Sequence, residues 1–370
     1  MTPLVVIEAD VLGRQRTGDE TYVRNLLREL APLAQDAGIR LAAVTRRPDL
    51  VPAGVEAVEL RARSQELRMA LSLPRALRRL GAGLSHTQYA LPLGSPCPGV
   101  VTVHDLSFAR QPELMGFKDR LVFRVVVPRA VRRAARILTV SERTKRDLVE
   151  LYGVPEERIV VTPNGIDPAF HPLDPGASIP SNSLLQSRGT PSTGAVSGSL
   201  IPSNSLLQGG YILAVGAIQE RKNQLAALEA AQAVGMPLVI AGPEKDTSLA
   251  RELRQRGARI DGYVETERLA ELYRGAACLL QASHFEGFGL PVLEAMASGT
   301  PVVAVREPAL EEVAGDAALF VEEGGLAEGI RQALEERERL VAAGLERARA
   351  FSWRATAERT LGVYREILEA

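Results

Sequence analysis

The chain has 370 residues, 46% of them hydrophobic and 4% aromatic, and its 44 lysines and arginines nearly balance 45 aspartates and glutamates. This length predicts two or three domains with a sizeable core, and the near-neutral charge argues against nucleic-acid binding through a basic surface. The two cysteines, Cys97 and Cys278, lie far apart with no C-x-x-C pair, so we expect neither a disulfide scaffold nor a zinc cluster.

The first half alternates short β-branched runs with helical stretches. Apolar residues recur at helical spacing between Thr21 and Leu33, which predicts a helix there. Continuous apolar runs predict strands over 4–9, 40–45, 83–88, 99–105, 135–141 and 158–165. Buried strands separated by helices are typical of a parallel sheet covered on both faces, so we predict a doubly wound α/β domain over residues 1–173.

Residues 174–209 differ from the rest of the chain. Ser, Gly, Pro, Thr and Asn dominate, and the sequence IPSNSLLQ occurs twice, at 179–186 and 201–208. Such a composition buries too little apolar surface to offset the entropy of the chain. We interpret the segment as a low-complexity inserted linker, which a short Gly/Ser linker should be able to replace.

The second half repeats the alternating pattern. Apolar runs predict strands over 211–216, 237–242, 258–264, 278–283, 300–305 and 317–322. Helical spacing predicts helices over 224–234, 266–276, 291–298 and about 326–343. The pattern therefore indicates a second doubly wound domain, over residues 210–351.

Charge is unevenly distributed between the two halves. Residues 1–173 hold 25 Lys and Arg against 19 Asp and Glu, and the excess is concentrated in Arg61–Arg79 and Arg110–Arg146. Both stretches mix arginine with apolar residues, so the N-terminal surface could contact anionic lipid at the membrane periphery. The first residues lack signal-peptide features, and no apolar run approaches bilayer-spanning length, so we expect a cytoplasmic protein.

The segment with the most functional information is QASHFEGFGLPVLEAMASGTPVVA at 281–304. A predicted strand runs into a glycine-rich turn and then into a helix that starts near Pro291. Gly287 and Gly289 let the backbone approach a ligand, and the amides and dipole of the helix start favour an anion such as phosphate. Glu286 and Glu294 add two carboxylates at the same crevice, where they can accept hydrogen bonds from a polyol.

This segment resembles the signature of glycosyltransferase family 4, whose retaining enzymes have the GT-B fold and carry two glutamates separated by seven residues. Other similar segments follow in the family's order: 17–30, 102–106, 140–148, 161–167, 214–223 and 260–277. The resemblance covers the chain except residues 174–209. It implies two Rossmann-like domains facing a crevice, with about 352–370 forming a helix that crosses back to complete the N-terminal, acceptor-binding domain.

The resemblance also implies roles on the donor side. Arg221 and Lys222 follow the first strand of the second domain, where two adjacent cations can neutralise a diphosphate leaving group. By the family pattern Glu294 binds the ribose and Glu286 the sugar hydroxyls. We expect these two cations and Glu286 to be catalytic, and further donor contacts to come from Gly18, Tyr263, Val264, Phe288, Gly289 and Leu290.

The expected acceptor side lies in the first domain. His104 ends a predicted strand, and in the family this position lies near the transferred sugar, so we count it among the catalytic residues. His86 lies on a neighbouring predicted strand and is interpreted as facing the acceptor. Asp19 and Glu20 replace a commoner glycine-rich loop of the family, and we expect them to influence the choice of acceptor.

The expected chemistry is hexosyl transfer without a metal or other cofactor. No D-x-D metal motif stands out in a suitable loop, and Arg221 and Lys222 can neutralise charge as a divalent ion would. In enzymes similar to this one, retention is ascribed to attack of the acceptor hydroxyl beside the departing diphosphate. The motif pattern favours GDP-mannose, with UDP-glucose or UDP-N-acetylglucosamine as alternatives, and a glycan or lipid-linked acceptor.

Two other functions stay open at this point. One is a GT-B-fold enzyme of different chemistry, a nucleotide-sugar epimerase or a phosphorylase, although no phosphorylase lysine motif is evident. The other is a catalytically silent sugar-nucleotide-binding protein. The presence of both glutamates and both cations argues against the silent protein.

Overall fold

The computed structural model describes residues 2–15, 17–60, 64–112, 117–173 and 210–370. The expected linker at 174–209 lies outside the described residues. The described chain forms two parallel β-sheets, one built before this segment and one after it, each flanked by helices. The prediction of an α/β fold with two doubly wound sheets is therefore confirmed.

The first sheet has seven parallel strands in the spatial order β3-β2-β1-β4-β5-β6-β7. They are β1 (Leu4–Glu8), β2 (Arg40–Thr45), β3 (Glu56–Glu59), β4 (Leu84–Gln88), β5 (Gly99–Val103), β6 (Arg136–Thr139) and β7 (Ile159–Val161). Six of them were predicted from apolar runs. β3 was missed because it is an edge strand in which only Val58 is buried, so it has no continuous apolar run.

The helices of this half pack on both faces of the sheet. They are α1 (Thr17–Asp36), α2 (Gln65–Leu67), α3 (Leu73–Leu80), α4 (Ser107–Arg110), α5 (Phe117–Arg133) and α6 (Glu142–Tyr152). α1 begins four residues earlier than predicted, so Asp19 and Glu20 lie in its first turn and not in a loop. α6 begins after Ser141, whose hydroxyl accepts a hydrogen bond from the amide of Thr144 as an N-cap.

The second sheet has six parallel strands in the order β10-β9-β8-β11-β12-β13. They are β8 (Ile212–Val215), β9 (Leu238–Ala241), β10 (Arg259–Gly262), β11 (Cys278–Gln281), β12 (Val302–Val305) and β13 (Leu319–Val321). All six coincide with predicted runs. The four central strands are buried and need apolar residues on both faces, whereas the edge strands β10 and β13 are half-buried.

Around this sheet lie α7 (Gln224–Ala233), α8 (Thr247–Gln255), α9 (Thr266–Gly275), α10 (Leu290–Ala297), α11 (Pro308–Ala314), α12 (Leu326–Glu335) and α13 (Arg337–Ala348). The sequence analysis missed α8 and α11. Each begins after a capping residue that could have indicated it: Asp246 accepts hydrogen bonds from the first amides of α8, and Glu307 from those of α11. The single helix expected over 326–343 is two helices, α12 and α13, which break at Glu336.

The last helix, α14 (Trp353–Glu369), returns to the first domain and packs along α1. Its buried Ala357 and Tyr364 belong to the same apolar core as Tyr22 and Leu26 of α1. The backbone at Gly165 lies against the start of α14, so closely that an added Cβ would be 1.9 Å from the Trp353 amide nitrogen. Only glycine fits at this contact. The expectation that the terminal helix crosses back is confirmed. None of the helices in the described ranges combines the length and apolarity needed to span a bilayer.

Candidate active site

The loops that follow β5 and β11 bring the two domains into direct contact at one end of a crevice. An added Cβ on Gly287, after β11, would lie 2.1 Å from the carbonyl oxygen of His104, after β5. The hydroxyl of Ser141 donates a hydrogen bond of 2.6 Å to the Gly287 carbonyl. Both sheets therefore present the carboxyl ends of their strands to the same space, where ligands bind in open α/β sheets.

A buried ion cluster lies at this position in the second domain. The Lys222 ammonium donates to Glu286 Oε1 at 2.6 Å, and Arg221 Nη1 lies 3.7 Å from Glu286 Oε2. Gln281 donates a second hydrogen bond to Glu286 Oε1, at 2.5 Å. The Lys222 side chain crosses the end of β8, where an added Cβ on Gly216 would lie 3.2 Å from Lys222 Cε. The expected catalytic cations and Glu286 are thus brought together.

The electrostatics of the cluster keep Glu286 ionised. Burial alone would raise its pKa, but Lys222 and Arg221 outweigh burial and hold the pKa of Glu286 below its ordinary value. Burial lowers the pKa of the Lys222 ammonium, and the opposing attraction of Glu286 is smaller. Among the described residues, Glu286 is the one carboxylate within 4 Å of these two cations, so the cluster is suited to receive a further anion.

The start of α10 lies directly after this cluster. Gly289 has φ 102° and caps the helix, and an added Cβ there would lie 2.6 Å from Leu310 Cδ2, so only glycine fits. Phe288 is buried with its ring against Phe351, and Leu290 begins the helix half-buried. Pro291 has no amide hydrogen, and the amides of Val292 and Leu293 donate to the Gly289 carbonyl at 3.0 and 3.2 Å. The donors that this helix start can present beside the two cations are therefore the amides of Gly289 and Leu290.

Glu294 lies in α10 and is almost fully buried. Its Oε2 accepts a hydrogen bond of 2.8 Å from the hydroxyl of Tyr273 on α9. Burial raises the pKa of Glu294 to about 8, and the nearby negative charge of Asp167 adds to the rise. At neutral pH its carboxyl group is therefore mostly protonated and can donate as well as accept a hydrogen bond, which suits a ligand hydroxyl.

His104 lies on the first-domain side of the crevice, within the electrostatic reach of Asp19. His104 Nε2 is hydrogen-bonded to Gln88 Oε1 at 2.8 Å, and its ring packs edge-on against Tyr22 at 4.7 Å. Burial lowers the pKa of His104, while the charges of Asp19 and Asp105 oppose the change. Gly18, in the first turn of α1, is exposed, with no atom within 4 Å of an added Cβ.

Tyr263 and Val264 directly follow β10 and are half-buried. The pKa of Tyr263 is raised by burial, and also by the charges of Glu265 and of Glu20, which lies across the crevice on α1. The loop after β10 therefore faces the beginning of α1, as expected for a loop that encloses part of a ligand.

Two residues expected on the acceptor side are buried and hydrogen-bonded within the first domain. His86 is fully buried in β4, where Nδ1 is hydrogen-bonded to the Tyr364 hydroxyl at 2.5 Å and Nε2 to Thr102 Oγ1 at 2.7 Å. Glu20 is also buried, and its Oε1 accepts hydrogen bonds from the Gly13 amide and from Arg24. The His86 side chain therefore does not point into the crevice as expected, because a strand's carboxyl edge does not tell which way a side chain points. The influence of Glu20 on the choice of acceptor stays a prediction.

Sequence reasoning missed four polar residues around the cluster. Gln281 orients Glu286, Asp105 acts electrostatically on both cations, and the Tyr89 hydroxyl accepts a hydrogen bond from the Asp105 amide. Glu307 follows β12, and burial together with the charge of Glu286 raises its pKa to about 7. All four lie at or just after the end of a strand, and this shared position was the available signal.

Two family models match the chain. "Glycosyltransferase Family 4" matches residues 16–170, and "Glycosyl transferases group 1" matches residues 202–350. The two matched regions include all the residues placed at the crevice above.

Known proteins similar to this chain are glycosyltransferases as well. O-antigen chain mannosyltransferase B of Escherichia coli is 31% identical over 285 residues, or 72% of this chain and 70% of that protein. A D-inositol 3-phosphate glycosyltransferase of Acidothermus cellulolyticus is 33% identical over 64% of this chain and 54% of its own length. The structure of sucrose-phosphate synthase from Thermosynechococcus elongatus matches 99% of both chains with a TM-score of 0.75 and 19% identity, a likeness of fold alone, the GT-B fold. The chain belongs to glycosyltransferase family 4, the group 1 glycosyltransferases.

Proposed function

We propose that the protein is a retaining hexosyltransferase that moves a hexose, with mannose favoured, from a nucleoside-diphosphate sugar to a glycan or lipid-linked acceptor. The observation that carries this proposal is the cluster of Arg221, Lys222 and Glu286 at the start of α10. Two cations and the amides of Gly289 and Leu290 suit a diphosphate, and the adjacent carboxylate suits sugar hydroxyls. The mannosyltransferase relative supports the choice of sugar.

In the proposed reaction, the acceptor oxygen attacks the anomeric carbon on the face from which the diphosphate leaves. The new C–O bond forms as the bond to the diphosphate oxygen breaks, and the acceptor proton passes to the departing diphosphate. Arg221 and Lys222 stabilise the charge that grows on that group. Glu286 holds the sugar, and Glu294 binds ribose hydroxyls that do not change during transfer. His104 lies on the opposite wall, beside the sugar.

We also propose that the transfer needs no metal ion or other cofactor, because the two cations perform the charge neutralisation that a divalent ion would supply. The test is to incubate the protein with GDP-mannose, UDP-glucose and UDP-N-acetylglucosamine and to measure nucleoside diphosphate release, with and without EDTA. We expect the fastest release with GDP-mannose and no effect of EDTA. Release that stops on chelation and returns with Mg²⁺ would refute metal independence.

We further propose that the enzyme works in the cytoplasm at the inner face of the membrane, held there by its basic N-terminal surface. Arg75, Arg78 and Arg79 on α3 are exposed, as are Arg129 and Arg132 on α5. Exposed cations attract anionic headgroups, and salt screens this attraction within about 8 Å at physiological ionic strength. We expect co-sedimentation with anionic vesicles that falls with rising salt and is absent with phosphatidylcholine alone. Binding that does not depend on salt would contradict the proposal.

A further inference from the structure

Gln88, the last residue of β4, makes a buried contact with His104 to which the proposed reaction assigns no role. Gln88 is 8% exposed, and its Oε1 is hydrogen-bonded to His104 Nε2 at 2.8 Å. The two side chains meet because β4 and β5 are neighbours in the sheet, where Gln88 pairs with Thr102, two residues before His104. Gln88 therefore contacts a residue that the proposed reaction places beside the sugar.

This hydrogen bond determines which nitrogen of the His104 ring carries the proton. An amide oxygen can only accept, so Nε2 must be protonated. Burial lowers the pKa of His104, and the opposing charges of Asp19 and Asp105 are weaker, so the ring is neutral at pH 7. A neutral imidazole has one donor and one acceptor, which makes Nδ1 the acceptor. Nδ1 makes no hydrogen bond to any residue that the structure describes.

The Gln88 side chain is not the one that packing alone would favour at this position. Its Nε2 is buried and has no hydrogen-bond partner within the described part of the chain. A buried donor without an acceptor lowers stability, and an apolar side chain of the same length would avoid that loss. The useful atom of Gln88 is therefore its oxygen, which faces His104.

Two aromatic residues hold the His104 ring in place. Tyr22 packs edge-on against it with ring centroids 4.7 Å apart, and the Tyr89 ring lies 5.7 Å away. The Tyr22 hydroxyl is itself hydrogen-bonded to Thr102 Oγ1 at 3.1 Å. Packing on two sides hinders rotation of the ring, so the lone pair of Nδ1 keeps one direction.

We propose that Gln88 is a positioning residue of the transfer: it keeps the proton of His104 on Nε2, so that Nδ1 accepts a hydrogen bond from a hydroxyl group of the donor hexose. The proposal rests on the proposed function for the nature of the ligand and deepens it by stating how His104 is oriented. A nucleoside diphosphate has no hexose to place beside His104. Gln88 therefore affects the affinity for the sugar nucleotide and not that for the nucleoside diphosphate.

The first test identifies the protonated nitrogen of His104 by nitrogen-15 NMR of histidine-labelled protein without ligand. The chain has four histidines, so the His104 signals are recognised by their loss in His104→Ala. We expect the proton on Nε2 in the wild type and in Gln88→Glu, whose carboxylate accepts the same hydrogen bond. Gln88→Met should shift the proton toward Nδ1, because a buried Nε2–H would have no acceptor. A wild-type proton on Nδ1, or an unchanged tautomer in Gln88→Met, would overturn the proposal.

Gln224→Met is the matched control for this measurement. Gln224 is also a buried glutamine, and its Nε2 donates one hydrogen bond, of 3.0 Å, to the Ala217 carbonyl. Its Oε1 has no partner among the described residues, as is true of Gln88 Nε2. Gln224 lies in α7 of the second domain, so its replacement should leave the His104 signals unchanged.

The second test compares ligands by calorimetric titration with GDP-mannose, UDP-glucose, GDP and UDP. Gln88→Met should weaken binding of the preferred sugar nucleotide about threefold to tenfold, the loss expected for one hydrogen bond between neutral groups. Binding of GDP and UDP should not change. In a His104→Ala background, Gln88→Met should have no further effect, because it acts through His104. An equal loss of affinity for both kinds of ligand, or an effect of Gln88→Met that persists without His104, would overturn the proposal.

A failure of the proposed function gives a different result. Wild-type protein that binds neither GDP-mannose nor UDP-glucose would refute the proposed donors. The tautomer of His104 is measured without ligand, so it would still decide whether Gln88 orients the ring.

Discussion

Lys222 and Glu286 form a buried ion pair, and we predict that mutating either residue lowers the stability of the protein by a different amount. Lys222→Met leaves Glu286 with Arg221 at 3.7 Å and with the hydrogen bond from Gln281, so part of its charge stays compensated. Glu286→Gln removes the carboxylate that both cations contact and leaves them with the more distant charge of Asp105. Breaking a buried ion pair costs about 3–5 kcal/mol. We place Lys222→Met near 3 kcal/mol and Glu286→Gln near 5 kcal/mol on that scale.

Thermal melts with and without nucleoside diphosphate test this reasoning. At about 2–4 °C per kcal/mol, Glu286→Gln should lower Tm by roughly 10–20 °C and Lys222→Met by roughly 6–12 °C. The double variant should be more stable than Glu286→Gln alone, because it removes one uncompensated cation. Added GDP or UDP should raise the Tm of Glu286→Gln more than that of the wild type, since the diphosphate supplies the missing negative charge.

The same ligand should raise the Tm of Lys222→Met less than that of the wild type. Equal ligand shifts in the wild type and both single variants would show that the diphosphate does not bind at this cluster. A Glu286→Gln protein as stable as the wild type would show that the pair is not buried as described.

Three further outcomes follow from other contacts. Glu294→Ala should raise the donor KM with little change in kcat, as steady-state kinetics would show, since the ribose hydroxyls that we assign to Glu294 are the same in ground and transition states. Burial lowers the pKa of His86 to about 3, so as pH falls below about 6.5 this histidine takes up a proton in the unfolded chain but not in the folded one. The free energy of unfolding, measured with urea, should therefore fall by up to about 1.4 kcal/mol per pH unit. His86→Gln should flatten this slope. Gly287→Ala should lower Tm and activity because its Cβ meets His104, whereas Gly362→Ala in α14, with open space around it, should leave both nearly unchanged or raise Tm.

The sequence was enough to predict both sheets and the loops that line the crevice. Central parallel strands must be apolar on both faces, so the nine central strands among the thirteen described are visible as apolar runs. Three of the four edge strands, β7, β10 and β13, also coincide with predicted runs. Arg221 and Glu286 each follow such a run, and parallel strands place their carboxyl ends at one edge. That these residues come together was therefore predictable. That Lys222 and not Arg221 makes the 2.6 Å contact was not, because it depends on how the Lys222 side chain crosses Gly216.

His86 shows where sequence reasoning reached its limit. Its position at the end of a predicted strand suggested a crevice residue, but alternate side chains of a strand point to opposite faces of the sheet. Its face is covered by α14, and its partner Tyr364 is 278 residues away along the chain. The residues around His86 in the sequence give no indication of its contact with Tyr364. The burial of Glu20 has a local cause instead, since α1 begins four residues earlier than predicted and the Glu20 carboxylate accepts a hydrogen bond from the Gly13 amide.

The contacts between the domains explain how one end of the crevice is kept closed. The carboxylate of Glu312 on α11 accepts hydrogen bonds from the amides of Glu142 and Arg143 at the start of α6. A carboxylate at a helix start is favoured by the helix dipole, so this link between the domains is stronger than an ordinary surface contact. Together with the Ser141–Gly287 hydrogen bond, it fixes the spacing between the loops after β5 and β11. His104 and Glu286, on opposite walls, are therefore held at a set separation before any ligand binds, which is the preorganisation that stabilising a transition state requires.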